Sequence, residues 1–110
     1  MSYQHKDLAA GRWKGLTLVE QMANIGSEVE RALNWQVKHD DAYCQKAFER
    51  ALELIDLTLE NAGRYPLLKE LARVREALVG YFAGPNQSGS TEASWKRYFG
   101  AFTYAARRNY

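Results

Sequence analysis

Between Thr17 and Val29 the chain reads Thr17-Leu18-Val19-Glu20-Gln21-Met22-Ala23-Asn24-Ile25-Gly26-Ser27-Glu28-Val29. Its first four residues have the form of a capping box, in which the Thr17 hydroxyl accepts from a first-turn N–H and Glu20 reaches back to the Thr17 N–H. Behind that cap, Leu18, Met22, Ile25, Val29, Ala32 and Gln36 step by four and three, and all but the last are apolar. This spacing lays one stripe along a helix and predicts a first helix over 17–38. Gly26 interrupts it at a cost of about 1 kcal/mol relative to Ala, which a close approach of another helix would explain.

The same logic carries outward. A second helix is predicted over 41–61, capped by Asp40 or Asp41, with Cys44, Phe48, Leu52, Ile55 and Leu59 as its stripe and Ala47, Ala51 and Leu54 widening it. Asn61-Ala62-Gly63 is the expected stop, with Gly63 as a left-handed cap. A third helix is predicted over 65–82, with Pro66 in its first turn, Leu67, Leu71, Val74, Leu78 and Phe82 facing inward and Leu68, Ala72 and Val79 beside them. Residues 83–90, AGPNQSGS, are turn-formers without an apolar pattern. A fourth helix is predicted over 91–108, capped by Ser90 or Thr91 and lined by Trp95, Phe99, Phe102 and Ala106. Short connections force neighbouring helices antiparallel. The expected fold is therefore an all-α antiparallel four-helix bundle over 17–110, preceded by an N-terminal arm or short extra helix over 1–16 whose Leu8 and Trp13 dock on it.

Composition narrows the class further. The chain holds 110 residues, 46% of them hydrophobic and 25% charged, enough for one domain with its own core. Fifteen Lys and Arg against thirteen Asp and Glu leave a net charge of +2, too little to imply a polyanion partner by itself. A single cysteine, Cys44, excludes an internal disulfide framework and fits a reducing, cytoplasmic setting. No apolar run approaches the ~20 residues that span a bilayer, so no membrane role is expected.

Several phrases resemble a family of short bacterial and archaeal helical proteins of unknown function. They are Gln21-Met22-Ala23-Asn24-Ile25-Gly26-Ser27-Glu28-Val29, Ala47-Phe48-Glu49-Arg50-Ala51-Leu52-Glu53-Leu54, and Leu68-Lys69-Glu70-Leu71-Ala72-Arg73-Val74-Arg75-Glu76, with Tyr98-Phe99, Tyr104-Ala105-Ala106-Arg107 and the His5-Lys6-Asp7-Leu8 opening. The resemblance implies a small cytosolic prokaryotic protein and transfers no activity or catalytic residue.

Three constellations bear on chemistry. Glu49, Glu53, Asp56 and Glu60 share one face of the second helix, and such carboxylates can hold Mg²⁺. All-α hydrolases of nucleoside triphosphates pair Glu-x-x-Glu with Glu-x-x-Asp. Glu53-x-x-Asp56 is present, but Glu-x-x-Glu is not, and a solvated face paired with Lys46, Arg50 and the third helix is the simpler account. Lys96, Arg97, Arg107 and Arg108 interleave with aromatics near the C-terminus, a composition suited to phosphates and unpaired bases. Trp95, Phe99 and Phe102 are, however, better explained as core. The ferritin-like Glu-x-x-His pair is absent, as are CxxC and G-x-S-x-G, so no cofactor and no catalytic residue is expected. Asn24, Glu28 and Arg31 read as a surface polar cluster.

What remains is aromatic surplus. Trp13, Trp35, Tyr43, Tyr65, Tyr81 and Tyr104 exceed what one small core needs, and aromatics left outside anchor protein interfaces. The expected function is a non-enzymatic module for self-association, as a homodimer, or for binding a protein partner, with Trp35 and then Trp13 as anchors. A nucleic-acid-associated module using the basic C-terminal helix is the alternative, and a Mg²⁺-dependent nucleotide hydrolase the second.

Overall fold

The computed structural model describes residues 11–108; the expectations for residues 1–10, the docking of Leu8 among them, lie outside the described residues. Four α-helices occur among the described residues: α1 (Leu18–Val37), α2 (Asp41–Asn61), α3 (Tyr65–Ala83) and α4 (Glu92–Arg108). A short 3-10 turn, Trp13–Gly15, precedes them. The protein is an all-α bundle in which α1 is the central element, packed closely on α2 and α4, while α2 in turn carries α3. No described helix is long and apolar enough to cross a membrane.

The helix starts are set by side chains close in sequence. Thr17 and Glu20 form the full capping box, with Glu20 N–H donating to Thr17 Oγ1 at 3.1 Å and Thr17 N–H donating to Glu20 Oε1 at 2.9 Å. Asp40 caps α2 by accepting from Tyr43 N–H at 3.1 Å. Thr91 caps α4, its Oγ1 accepting from Ser94 N–H at 3.0 Å while Ser94 Oγ accepts from Thr91 N–H at 2.9 Å. Pro66 stands in the first turn of α3, where its missing N–H costs nothing.

The helix ends depart from expectation. Gly63 does not take a left-handed cap; α2 ends instead through Ala62 in an extended conformation (φ −79°, ψ 114°). The left-handed cap belongs to α1, and a histidine holds it. His39 has φ +59°, its N–H donates to Gln36 O at 3.0 Å, and Asp40 N–H donates to Trp35 O at 3.0 Å. These two bonds are those of a Schellman motif, which reverses the chain within three residues and starts α2 on Asp40.

The core runs through Met22, Ile25, Val29, Leu33, Ile55, Leu71, Val74, Leu78, Trp95 and Phe99. Three positions expected in the inward stripes are exposed. Leu18, in the first turn of α1, is 40% exposed. Ala72 is exposed, and so is Gln36, which accepts from Tyr81 Oη at 3.3 Å. Trp13, by contrast, is 1% exposed. Its indole Nε1 donates to Thr58 Oγ1 at 3.0 Å, and its carbonyl accepts from Gln21 Nε2 at 2.8 Å. Trp13 is thus part of the core and not an interface anchor, since the 3-10 turn folds it onto α2 and satisfies its polar edge.

Gly26 has the reason that its position in mid-helix called for. A Cβ there would stand 2.7 Å from the Cβ of Phe99, so α4 returns against α1 at a distance only glycine permits. The loop before α4 is held by Asn86. Its backbone (φ +52°) donates to Gly80 O at 3.0 Å, and its side chain bonds both the N–H and the carbonyl of Ser90.

Candidate functional site

The turn between α1 and α2 brings Trp35 and Tyr43 together on the surface. Their rings stack with centroids 4.8 Å apart and 28° between planes. Lys38 Nζ lies 5.0 Å from the Trp35 ring centre, and Lys46 Nζ lies 5.7 Å from that of Tyr43. Both lysines follow their ring by three residues, so helical geometry sets each contact. Tyr43 is 52% exposed, Trp35 is half-buried and Val37 beside it is exposed. Ile25 and Leu33, on the same helix, are in the core. An aromatic pair bracketed by two ammonium groups is an amphipathic contact surface: rings for apolar groups, cations for carboxylates.

Cys44, next to Tyr43, is not an activated nucleophile. Burial pushes its thiol above the ordinary range, and the Asp41 carboxylate adds to that. Both disfavour the thiolate that nucleophilic chemistry needs.

The acidic face of α2 is divided between different partners. Glu49 accepts from Gln45 Nε2 at 3.2 Å, and Asp56 pairs with Arg75 of α3 at 2.8 Å. Glu53 is buried, against the expectation of a solvated stripe. Among the described residues no group of three or more His, Cys, Asp or Glu side chains is placed to hold a metal ion. Glu49, Glu53, Asp56 and Glu60 therefore do not converge into a Mg²⁺ site. Arg50 turns away from them to α1, where Glu28 accepts from Arg50 Nε at 3.1 Å and from Arg31 Nη1 at 3.2 Å. Glu28 is only 8% exposed, so this cluster joins two helices and is not the surface pair its spacing suggested.

The C-terminal cations are split as well. Lys96 and Arg107 line a groove of about 370 Å³ between α1 and α4, and Lys96 bonds Glu92 at 2.8 Å. Arg108 stands over the Tyr104 ring at 5.8 Å. Arg97 and Arg108, eleven residues apart, sit about 100° further round the helix from Lys96 and Arg107. Glu30 lines the same groove as Lys96, so the face is of mixed sign. Trp95 and Phe99 are core. The buried Trp95 Nε1 has no hydrogen-bond partner among the described residues; the Trp95 ring meets Tyr81 edge-on at 6.3 Å.

One polar cluster had no sequence signal. Tyr98 Oη donates to Glu70 Oε2 at 3.0 Å, and Arg73 Nη2 donates to Glu70 Oε1 at 2.6 Å. The Arg73 guanidinium holds the Glu70 carboxyl below its usual range, while burial and then Glu70 push the Tyr98 phenol up. The cluster pins α4 to α3 and offers no displaced proton near pH 7. No family model, curated protein or solved structure matches this chain.

Proposed function

We propose that this protein is a non-enzymatic interaction module that contacts a protein partner through the Trp35–Tyr43 stack. The observation that carries the reading is the exposed aromatic pair with a lysine over each ring. Rigid aromatic anchors dominate binding energy at protein interfaces. The bracketing ammonium groups favour a partner segment in which an apolar side chain is flanked by carboxylates. Lys38 and Lys46 both lie on this tip together with Asp41, whereas Glu49, Glu53 and Asp56 further along α2 are engaged elsewhere or buried. Burial and the Asp41 carboxylate push the Cys44 thiol up, away from the thiolate, and the carboxylates of α2 are dispersed, which favours binding over catalysis as the reading.

The test compares proteins retained by the wild-type chain with those retained by a Trp35→Ala/Tyr43→Ala variant and a Lys38→Glu/Lys46→Glu variant, all after nuclease treatment. Loss of the same acidic partner from both variants, with helical content unchanged, supports the reading. An identical retained set overturns it. Excess 260 nm absorbance that disappears in high salt would favour nucleic acid instead.

A further inference from the structure

We propose that the groove at the end of the bundle where α1 and α3 start and α2 stops is a binding site for a small phosphate monoester with a hydrocarbon tail. The groove has a volume of about 360 Å³, within the range of small-molecule sites. Its polar floor is already satisfied from within the chain. Gln21 Nε2 donates to Trp13 O, Thr58 Oγ1 to Leu54 O and Asn61 Nδ2 to Leu57 O, each at 2.8 Å. These bonds fix the shape of the floor.

What the groove offers a ligand is a pair of cations beside an apolar strip. Lys14, from the 3-10 turn, and Arg64, from the α2–α3 connection, both line it and are both exposed. Neither has an ion pair among the described residues, whereas Arg31, Arg50, Arg73, Arg75 and Lys96 each have one. Arg64 stands before α3 without capping it through its side chain. No described Asp or Glu lines the groove; Glu20 and Glu60, next in sequence to Gln21 and Asn61, do not. Two like charges at one opening repel, and an anion between them relieves both. Leu16, Leu18 and Leu67 make the apolar side, and Leu18 is 40% exposed there.

These two properties together select the ligand. An anion alone leaves the leucines in water, and an apolar molecule alone leaves the cations unpaired. A carboxylate carries one charge for two cations. A phosphate monoester carries about −1.5 to −2 at neutral pH and three acceptor oxygens, enough for the Arg64 fork and the Lys14 ammonium together. Its tail then covers the leucines. The groove lies at the start of α1, roughly 25 Å along the helix from Trp35, so this inference stands apart from the Trp35–Tyr43 tip.

Calorimetric titration of the full chain with hexyl phosphate, below its micelle concentration, tests it. Butyl phosphate, inorganic phosphate and hexan-1-ol are titrated beside it. Hexyl phosphate should bind one-to-one and more tightly than the other three. Each buried methylene brings roughly fourfold in affinity, so the hexyl ester should exceed the butyl ester roughly tenfold or more. Lys14→Glu/Arg64→Glu should abolish binding with helical content retained, because both side chains are exposed. Lys38→Glu/Lys46→Glu makes the same charge change at the other end of α1 and should leave binding intact. Leu18→Ser should lower the affinity for hexyl phosphate and leave that for inorganic phosphate unchanged. No binding of hexyl phosphate overturns the proposal. So does an equal loss in both charge-reversed variants, which is a net-charge effect, or equal affinity for inorganic phosphate, which leaves the leucines without a part. Binding to vesicles containing phosphatidic acid without binding to hexyl phosphate would overturn it in favour of a membrane surface.

Discussion

The Cβ of Phe99 lies 2.7 Å from where a Cβ on Gly26 would stand, so α1 and α4 meet at a point where one helix has no side chain at all. The obstructing atoms are the Cβ and ring of a core residue, anchored by stacking on Trp95 at 6.0 Å. Gly26→Ala gains about 1 kcal/mol of helix propensity. Relieving the contact requires the two helices to separate, and overpacking of this kind costs about 1–3 kcal/mol. The net expectation is a lower urea midpoint for Gly26→Ala, and a Phe99→Gly background, which removes the obstructing Cβ as well as the ring, should reverse the sign of the substitution.

Thr58 is buried beneath Trp13 and accepts its indole N–H while donating to Leu54 O at 2.8 Å. Thr58→Val keeps the shape and removes the acceptor, leaving a buried donor unsatisfied at a cost of about 1–3 kcal/mol. Chemical denaturation monitored by tryptophan fluorescence checks it. Trp13→Phe in the same variant should recover part of the loss, because it removes the orphaned donor.

His39 occupies the left-handed conformation that favours glycine. A non-glycine residue there carries a penalty of about 1 kcal/mol. His39→Gly should therefore raise the thermal midpoint while preserving the Schellman bonds to Trp35 and Gln36. Because those bonds set the turn, the Trp35–Tyr43 stack should survive, which the near-ultraviolet dichroism of the two rings reports.

Glu28 is nearly buried between Arg31 and Arg50. Arg50→Ala strands a carboxylate that has one remaining, solvent-exposed partner, and should cost about 1–3 kcal/mol. Glu28→Gln in the same background removes the stranded charge and should restore part of it, measurable as a double-mutant cycle.

Glu70 makes stability depend on acid. Its folded pKa is lowered by the Arg73 bond, so its contribution is present above the ordinary carboxylate range and is lost as pH falls through the depressed value. Glu70→Gln should flatten the acid limb of a urea-midpoint profile between about pH 2 and 6. The Tyr98 phenol has the opposite sign: its raised pKa contributes below the ordinary tyrosine range and is lost only as pH rises through the folded value. Tyr98→Phe should leave the acid limb largely in place, since Arg73 is the main cause of the Glu70 shift.

The helices were legible in the sequence because what makes them is local. The Thr17–Glu20 box, the Asp40 and Thr91 caps and the four-and-three apolar spacing all act within a turn or two, and each determines its own stretch of chain. The up-down-up order expected of the first three helices followed from their short connections, whereas the longer 84–91 segment left the place of α4 open. Periodicity names the apolar face of each helix, but it is silent on how far that helix is rotated or how closely its neighbour approaches. Those two quantities decided the rest. They placed Gly26 under Phe99, carried Trp13 to Thr58 across 45 residues, and drew Glu28 to Arg50 across 22 and Tyr98 to Glu70 across 28. For two of them the residue types alone suggested something else, a spare aromatic for Trp13 and a surface charge for Glu28. Burial and pairing are properties of where two helices meet, so only the tertiary structure could assign Trp13 to the core and leave Trp35 and Tyr43 on the surface.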